Sequence, residues 1–282
     1  MENNEREIVP DKYSFSGLSS FEECPYGYSL TYEYGFRGED NVFSQYGKAV
    51  HSLMERCAKG ELKPSELVNA FDKEWENIKA SEFPSLGGND HLAETYYINA
   101  IDYLMSFKGF NGREILGVEE EFMIPITTGS NRWTLHGFID LVYKDCHGDL
   151  IIRDYKSKGG FKSKREVKEY ARQLYLYSEH VFRKYGKYPD YLEFELFREQ
   201  QGILIRWKKE EFDDAFKWAD EKITEIKESF DFPPKYSFIR CNYLCNHRNY
   251  CDLKQYAKMQ DEIERNFESQ KRNFGFKSEM RE

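Results

Sequence analysis

"LIIRDYKSK" at residues 150–158 reads as a β-strand with charges set into it. Leu150, Ile151, Ile152 and Tyr155 have the apolar and aromatic character of a strand packed on a core. Arg153, Asp154 and Lys156 interrupt it. Side chains alternate across a strand, so Asp154 and Lys156 share one face with Ile152. Burying a carboxylate and an ammonium together costs several kcal/mol unless something pairs or binds them. The use made of that face is the question the rest of the chain has to answer.

Working outward, "ILGVEEEFMIPI" (115–126) and "WTLHGFIDLVYK" (133–144) precede this strand, separated by the turn-like "TTGSN" and "DCHG". Three strands with short connections imply an antiparallel meander. A helix is predicted over 165–186, ending at Gly186 where a C-terminal cap belongs. Strands at 190–198 and 203–209 and a helix at 210–230 follow. Upstream, 13–35 reads as a turn and short helix whose serines suit capping. An amphipathic helix covers 44–60. Residues 64–108 are helical, broken by a loop at 83–90. The predicted fold class is mixed α/β (α+β): a central mixed β-sheet flanked by helices, with a helical N-terminal part. A charged helical tail is expected over 254–282.

The composition suits a folded chain. Of 282 residues, 40% are hydrophobic, and 21 Tyr with 22 Phe argue against disorder. No apolar h-region opens the sequence and no apolar run approaches the ~20 residues needed to span a bilayer, so a cytoplasmic, non-membrane protein is expected. The net charge of −9 disfavours wholesale binding of a polyanion. Residues 156–172, however, carry seven Lys or Arg against two Glu, while 210–231 carry nine acids against three Lys. The basic stretch is either a solvated helix face or a local phosphate-binding surface. No GxxxxGK[ST] loop is present, which argues against a built-in nucleotide-driven motor.

Two carboxylates on consecutive strands carry the chemistry. Asp140 in "GFIDLV" and Asp154 in "IIRDYK" can approach on one face, where they repel unless one protonates or a cation lies between them. Hard oxygen ligands favour Mg²⁺ or Mn²⁺. Lys156 could then stabilise phosphate charge or help deprotonate an attacking water. The alternative is a structural ion pair of Asp154 with Lys156 or Arg153. Six cysteines in a cytoplasmic chain suggest metal or redox chemistry before disulfides. Cys24, Cys241, Cys245 and Cys251 look organised, and thiolates bind a 4Fe–4S cluster or Zn²⁺ alike. Cys57 and Cys146 look like ordinary packing residues.

Together "GFID" and "IIRDYKSK" resemble the core of the PD-(D/E)XK nuclease superfamily, with a restriction-endonuclease-like fold. "GKAVH" resembles the G-x-x-x-H motif of its RecB-like branch, and "QLYLY" the branch's Q-x-x-x-Y motif. The cysteines are similar to those of branch members with an iron–sulfur cluster, the AddB-type and CRISPR-associated exonucleases. One departure is the extra residue between Cys241 and Cys245. The resemblance implies His51, Asp140 and Asp154 as metal ligands, with the Tyr155 carbonyl as a backbone ligand. Asp140, Asp154 and Lys156 would be catalytic, and Gln173 and Tyr177 would contact DNA or support the site. Glu55, one turn after His51, could orient the imidazole. The four cysteines would hold a 4Fe–4S cluster, or Zn²⁺, as a staple between residues 13–35 and 239–253.

The expectation is a single nuclease domain over 1–253, with a helical insertion at 61–112. Its implied activity is metal-dependent hydrolysis of DNA, as an exonuclease in recombination, repair, CRISPR adaptation or phage DNA processing. DNA with free ends or single strands would be the substrate, and a helicase, recombination or CRISPR adaptation complex the partner. Two alternatives stand beside it: a non-catalytic nucleic-acid-binding module stapled by iron–sulfur or zinc, and a zinc-stapled interaction protein.

Overall fold

The computed structural model describes residues 11–81, 83–85, 90–129 and 131–251. The helical tail expected at 254–282 lies outside them. The first strand, β1 (Lys12–Tyr13), leads into helices α1 (Phe15–Glu23) and α2 (Pro25–Tyr28), then a π-turn at Ser29–Glu33. Ser14 caps α1 by accepting the Gly17 N–H at 3.1 Å. Helices α3 (Val42–Ala58), α4 (Leu67–Lys79) and α5 (Leu92–Ser106) follow. Asn41 caps α3 through the Ser44 N–H at 2.9 Å.

The sheet comes next. Strands β2 (Glu114–Thr128), β3 (Asn131–Lys144) and β4 (Leu150–Lys156) form the expected antiparallel meander. Helix α6 (Lys164–Tyr185) then carries the chain to β5 (Tyr191–Leu196), parallel to β4. Its N-terminus is capped by Ser163 and its end by Gly186 in the left-handed conformation, φ 77°. Strand β6 (Gln201–Arg206) pairs antiparallel with β5, and α7 (Lys209–Glu228) closes the unit.

Helices cover both faces. Leu174, Leu176 and Val181 of α6, Phe212 and Ile223 of α7 and Leu18 of α1 bury one face with Leu135, Ile152, Leu192 and Phe194. On the other, Leu53 and Met54 of α3, Phe71 and Trp75 of α4 and Tyr103 of α5 pack with Tyr155 and Phe197. The charges of β4 follow from this layering. Arg153 and Asp154 are only 3% and 4% exposed, yet both are paired, on opposite faces. Arg153 donates Nε and Nη2 to Glu193 of β5 at 2.7 and 3.0 Å, on the side of Tyr143. Asp154 faces α6 with Lys156, whose Nζ is 2.8 Å from its Oδ2.

The basic run at 156–172 is largely neutralised within the fold. Lys168 pairs with Glu211 and Asp214 of α7, Lys158 with Glu166 and Arg165 with Glu169. Arg172 lies over Trp218, its guanidinium 4.8 Å from the ring centre. These pairs favour the solvated helix face over a free phosphate surface. Among the described residues no helix is long and apolar enough to cross a membrane.

Candidate metal-dependent active site

The site lies where two strands lose their alternation. On β3, Ile139 and Val142 both pack toward α6, whereas Leu141 and Tyr143 pack on the opposite face. Residues an odd number apart share a face only if the strand is locally rotated, and the rotation falls at Asp140. Its neighbour does the same. Val118 of β2 packs opposite α6, while Glu120 turns to α6, where it pairs with His180 and accepts from Tyr185 at 2.8 Å. The residue between them, Glu119, has φ 46°, a left-handed conformation uncommon for a non-glycine residue. The register is unchanged across it, Val118 pairing with Leu141 and Glu120 with Ile139, so this is a local twist of both strands that re-aims the side chains at that point. Here it aims two carboxylates, Glu119 and Asp140, toward α3.

A second irregularity opens the sheet at the same place. Strand β2 pairs with β3 along its whole length, but β4 pairs only with Leu141–Lys144. The Tyr155 N–H, beyond that ladder, is accepted instead by the Asp140 carboxylate at 2.7 Å. Helix α3 reaches this opening because Gly47 offers no side chain: a Cβ there would lie 3.2 Å from Ser157 Oγ. One turn later His51 stands between the carboxylates, with Nε2 2.7 Å from Asp140 and Nδ1 3.1 Å from Glu119.

His51, Glu119 and Asp140 each offer a ligand atom, and these atoms lie within 4.8 Å of one another. Their chemistry fits a hard divalent cation such as Mg²⁺ or Mn²⁺. Glu119 Oε1 and Asp154 Oδ2 are buried, with only the ion-pair contacts of His51 Nδ1 and Lys156 Nζ, which leaves them lone pairs for a cation. Burial acts to lower the His51 pKa, but the hydrogen bond and charge of Asp140, with Glu119, raise it to about 9. The two carboxylates thus favour positive charge at the place between them, as they would a bound cation. Burial raises the Glu119 pKa as well.

The Asp154–Lys156 pair adjoins this group. Burial is the largest influence on both. It raises the Asp154 pKa to about 6 against the opposing pull of Lys156. It acts to lower that of Lys156, but Asp154 overrides it and the pKa rises. Gln173 of α6 braces the two, donating Nε2 to Asp154 Oδ1 at 2.8 Å and accepting from Lys156 Nζ at 2.9 Å. Tyr177, one turn on, fills the space beside Gly137, where a Cβ would lie 2.8 Å from its hydroxyl.

One sequence expectation meets a different arrangement. Glu55 pairs with Lys59 at 2.6 Å, and the carboxylate at His51 Nδ1 belongs to Glu119. The sequence reading does not single out Glu119; "VEEEF" places three carboxylates in succession on a strand, so they cannot all face solvent alike, and that is the available signal.

The cysteine-held 4Fe–4S cluster or Zn²⁺ requires correction. Among the described residues the convergent metal-ligating group is His51, Glu119 and Asp140; Cys24, Cys241, Cys245 and Cys251 form no such group. They line one small cavity, where Cys24 and Cys241 accept backbone N–H groups of Lys235 and Ser237. The N- and C-terminal segments are joined by other means. Asn41 donates to the Leu244 carbonyl at 2.7 Å, Glu39 N–H to that of Asn246 at 2.9 Å, and Thr31 meets His247 at 2.9 Å. The extra residue between Cys241 and Cys245 is absorbed in a π-turn, Arg240–Leu244, closed by Cys245 N–H on the Arg240 carbonyl at 2.7 Å.

Comparison with known proteins agrees with the geometry. The model of the PD-(D/E)XK nuclease superfamily matches residues 12–252. The chain belongs to that superfamily. No curated protein matches it. Among solved structures it is similar to one described as "Crystal structure of SSO0001", at 15% identity and a TM-score of 0.39, over 86% of this chain and 87% of that one.

Proposed function

We propose that this chain is a metal-dependent deoxyribonuclease of the RecB-like branch, acting as an exonuclease. The observation that carries the reading is the imidazole–carboxylate group of His51, Glu119 and Asp140 set against the buried Asp154–Lys156 pair. A divalent cation held by His51, Glu119 and Asp140, with Asp154 and the Tyr155 carbonyl within the same opening, would polarise the phosphate and activate water. The remaining work falls to side chains. Lys156, kept protonated by Asp154, offers an N–H to a phosphate oxygen as charge builds there. That favours phosphate stabilisation over a general-base role for this amine. Gln173 keeps Lys156 and Asp154 in register.

The G-x-x-x-H and Q-x-x-x-Y correspondences support the RecB-like placement, because His51 and Gln173 contact the carboxylates of the candidate site and Tyr177 lies one turn from Gln173. DNA with free ends or single strands is the proposed substrate, with a helicase, recombination or CRISPR adaptation complex as partner. Linear and circular DNA, single- and double-stranded, incubated with Mg²⁺, Mn²⁺ or EDTA, tests the reading. Metal-dependent loss of linear DNA alone is expected. Equal cutting of circles would replace exonuclease by endonuclease, and no cleavage of any form would refute the enzyme.

A further inference from the structure

The face that carries Asp140 continues outward along β3 and β2 as an unusually apolar, open surface. Phe138, two residues before Asp140, is 51% exposed, and Met123 of β2, paired in register with His136, is 55% exposed. Both lie on the face turned away from α6, the side from which His51 approaches. Phe138 is about 6.8 Å along the strand from Asp140, a single two-residue repeat and within the reach of one nucleotide. Its cross-strand partner is the exposed Glu121.

His136, one further repeat along, lines a cleft of about 1390 Å³ whose walls include α3 and both terminal segments. Arg37, Lys48, Lys235 and Arg240 line this cleft, as do Tyr32, 45% exposed, and Ser157, next to Lys156. Lys48 and Arg240 are paired with Asp40 and Glu23. Arg37 and Lys235 lie on the cleft side, while Lys12, in register with Thr134, stands on the sheet beyond His136. On the sheet beside the metal group stand an aromatic ring, a thioether and a carboxylate.

Resting on the nuclease reading, we propose that Phe138 is a stacking platform for an unpaired nucleobase next to the scissile phosphate, so that the strand entering the site is single-stranded there. The charges orient it. Glu121 repels a phosphate from the Phe138 face, whereas Arg37 and Lys235 attract the backbone to the cleft side. A base in a duplex has its faces covered by its neighbours; only an unstacked base can lie on a ring fixed to a sheet. Continuity with the metal group selects a nucleobase over an apolar peptide as the occupant of this patch.

Fluorescence anisotropy tests this with a labelled thymidine oligonucleotide, an abasic oligomer of the same length and a duplex, with Ca²⁺ in place of Mg²⁺. Phe138→Ala should weaken the thymidine oligonucleotide about tenfold and leave the abasic oligomer and the duplex unchanged. Phe138→Trp should keep the affinity, with its indole emission quenched on binding. Unchanged thymidine binding by Phe138→Ala, or an equal loss for the abasic oligomer, overturns the platform while leaving the nuclease reading standing. Failure of the unaltered protein to bind any of the three overturns both.

Discussion

Lys156→Ala should lower single-turnover DNA cleavage by about 10³-fold, with the overall fold retained. Two losses combine. The ammonium proposed to face developing phosphate charge disappears, and Asp154 loses the cation 2.8 Å from its Oδ2. That carboxylate is buried, and Lys156 is the chief influence opposing protonation by burial. Without Lys156 it takes up a proton more readily and becomes a poorer neighbour for a metal. Gln173 still donates to Oδ1, which limits the damage to stability. Single-turnover rates on an end-labelled oligonucleotide in Mg²⁺, beside thermal melts of both proteins, provide the check. Unimpaired cleavage by a preparation free of contaminating nuclease would remove Lys156 from the chemistry.

Arg153→Ala should destabilise the fold by about 3–5 kcal/mol, because it strands buried carboxylates. Arg153 is 3% exposed and makes two hydrogen bonds to Glu193; its Nη2 is also 3.7 Å from Glu195. Its guanidinium lies 5.4 Å from the Tyr143 ring centre and 5.7 Å from that of Tyr155, so the substitution also removes packing. Replacing both partners, Arg153→Met with Glu193→Leu, should recover much of the loss, since no unpaired Glu193 charge then remains. Urea unfolding of the two variants measures this. A loss below about 1 kcal/mol for Arg153→Ala would show that water reaches the pair and screens it.

The contrast between these two sites shows what the sequence made legible. Asp154 and Lys156 share a face by simple alternation, so their pairing can be read from "RDYK" alone. The ion pair of Asp154 is with Lys156, beside the candidate metal group. Arg153 is paired to Glu193, 40 residues away across a parallel ladder whose register no local pattern encodes. Short-range spacing makes the strand meander and the helix ending at Gly186 legible; His51 and Gln173 are pointed to by the motif resemblance, and the Ser163 cap is not read from the sequence.

Glu119 was not anticipated, because its position depends on a left-handed residue inside a strand, which breaks the period-two rule used to assign faces. Glu55 was assigned to His51 by helical spacing, but the same spacing offers it Lys59, an exposed cation, and that contact prevails. The cysteines illustrate the reverse error. Their order along the chain suggested a metal staple, whereas hydrogen bonds from Asn41, Glu39 and Thr31 join those segments. Residue order alone does not bring ligand atoms within coordinating distance of one another.

Anomalous difference density from a crystal soaked in Mn²⁺ tests the central claim most directly. A peak about 2.0–2.4 Å from His51, Glu119 and Asp140 is expected, absent in Asp140→Ala. Density at the cysteines alone, or none in the opening between β3 and β4, would contradict a hard-donor catalytic metal site.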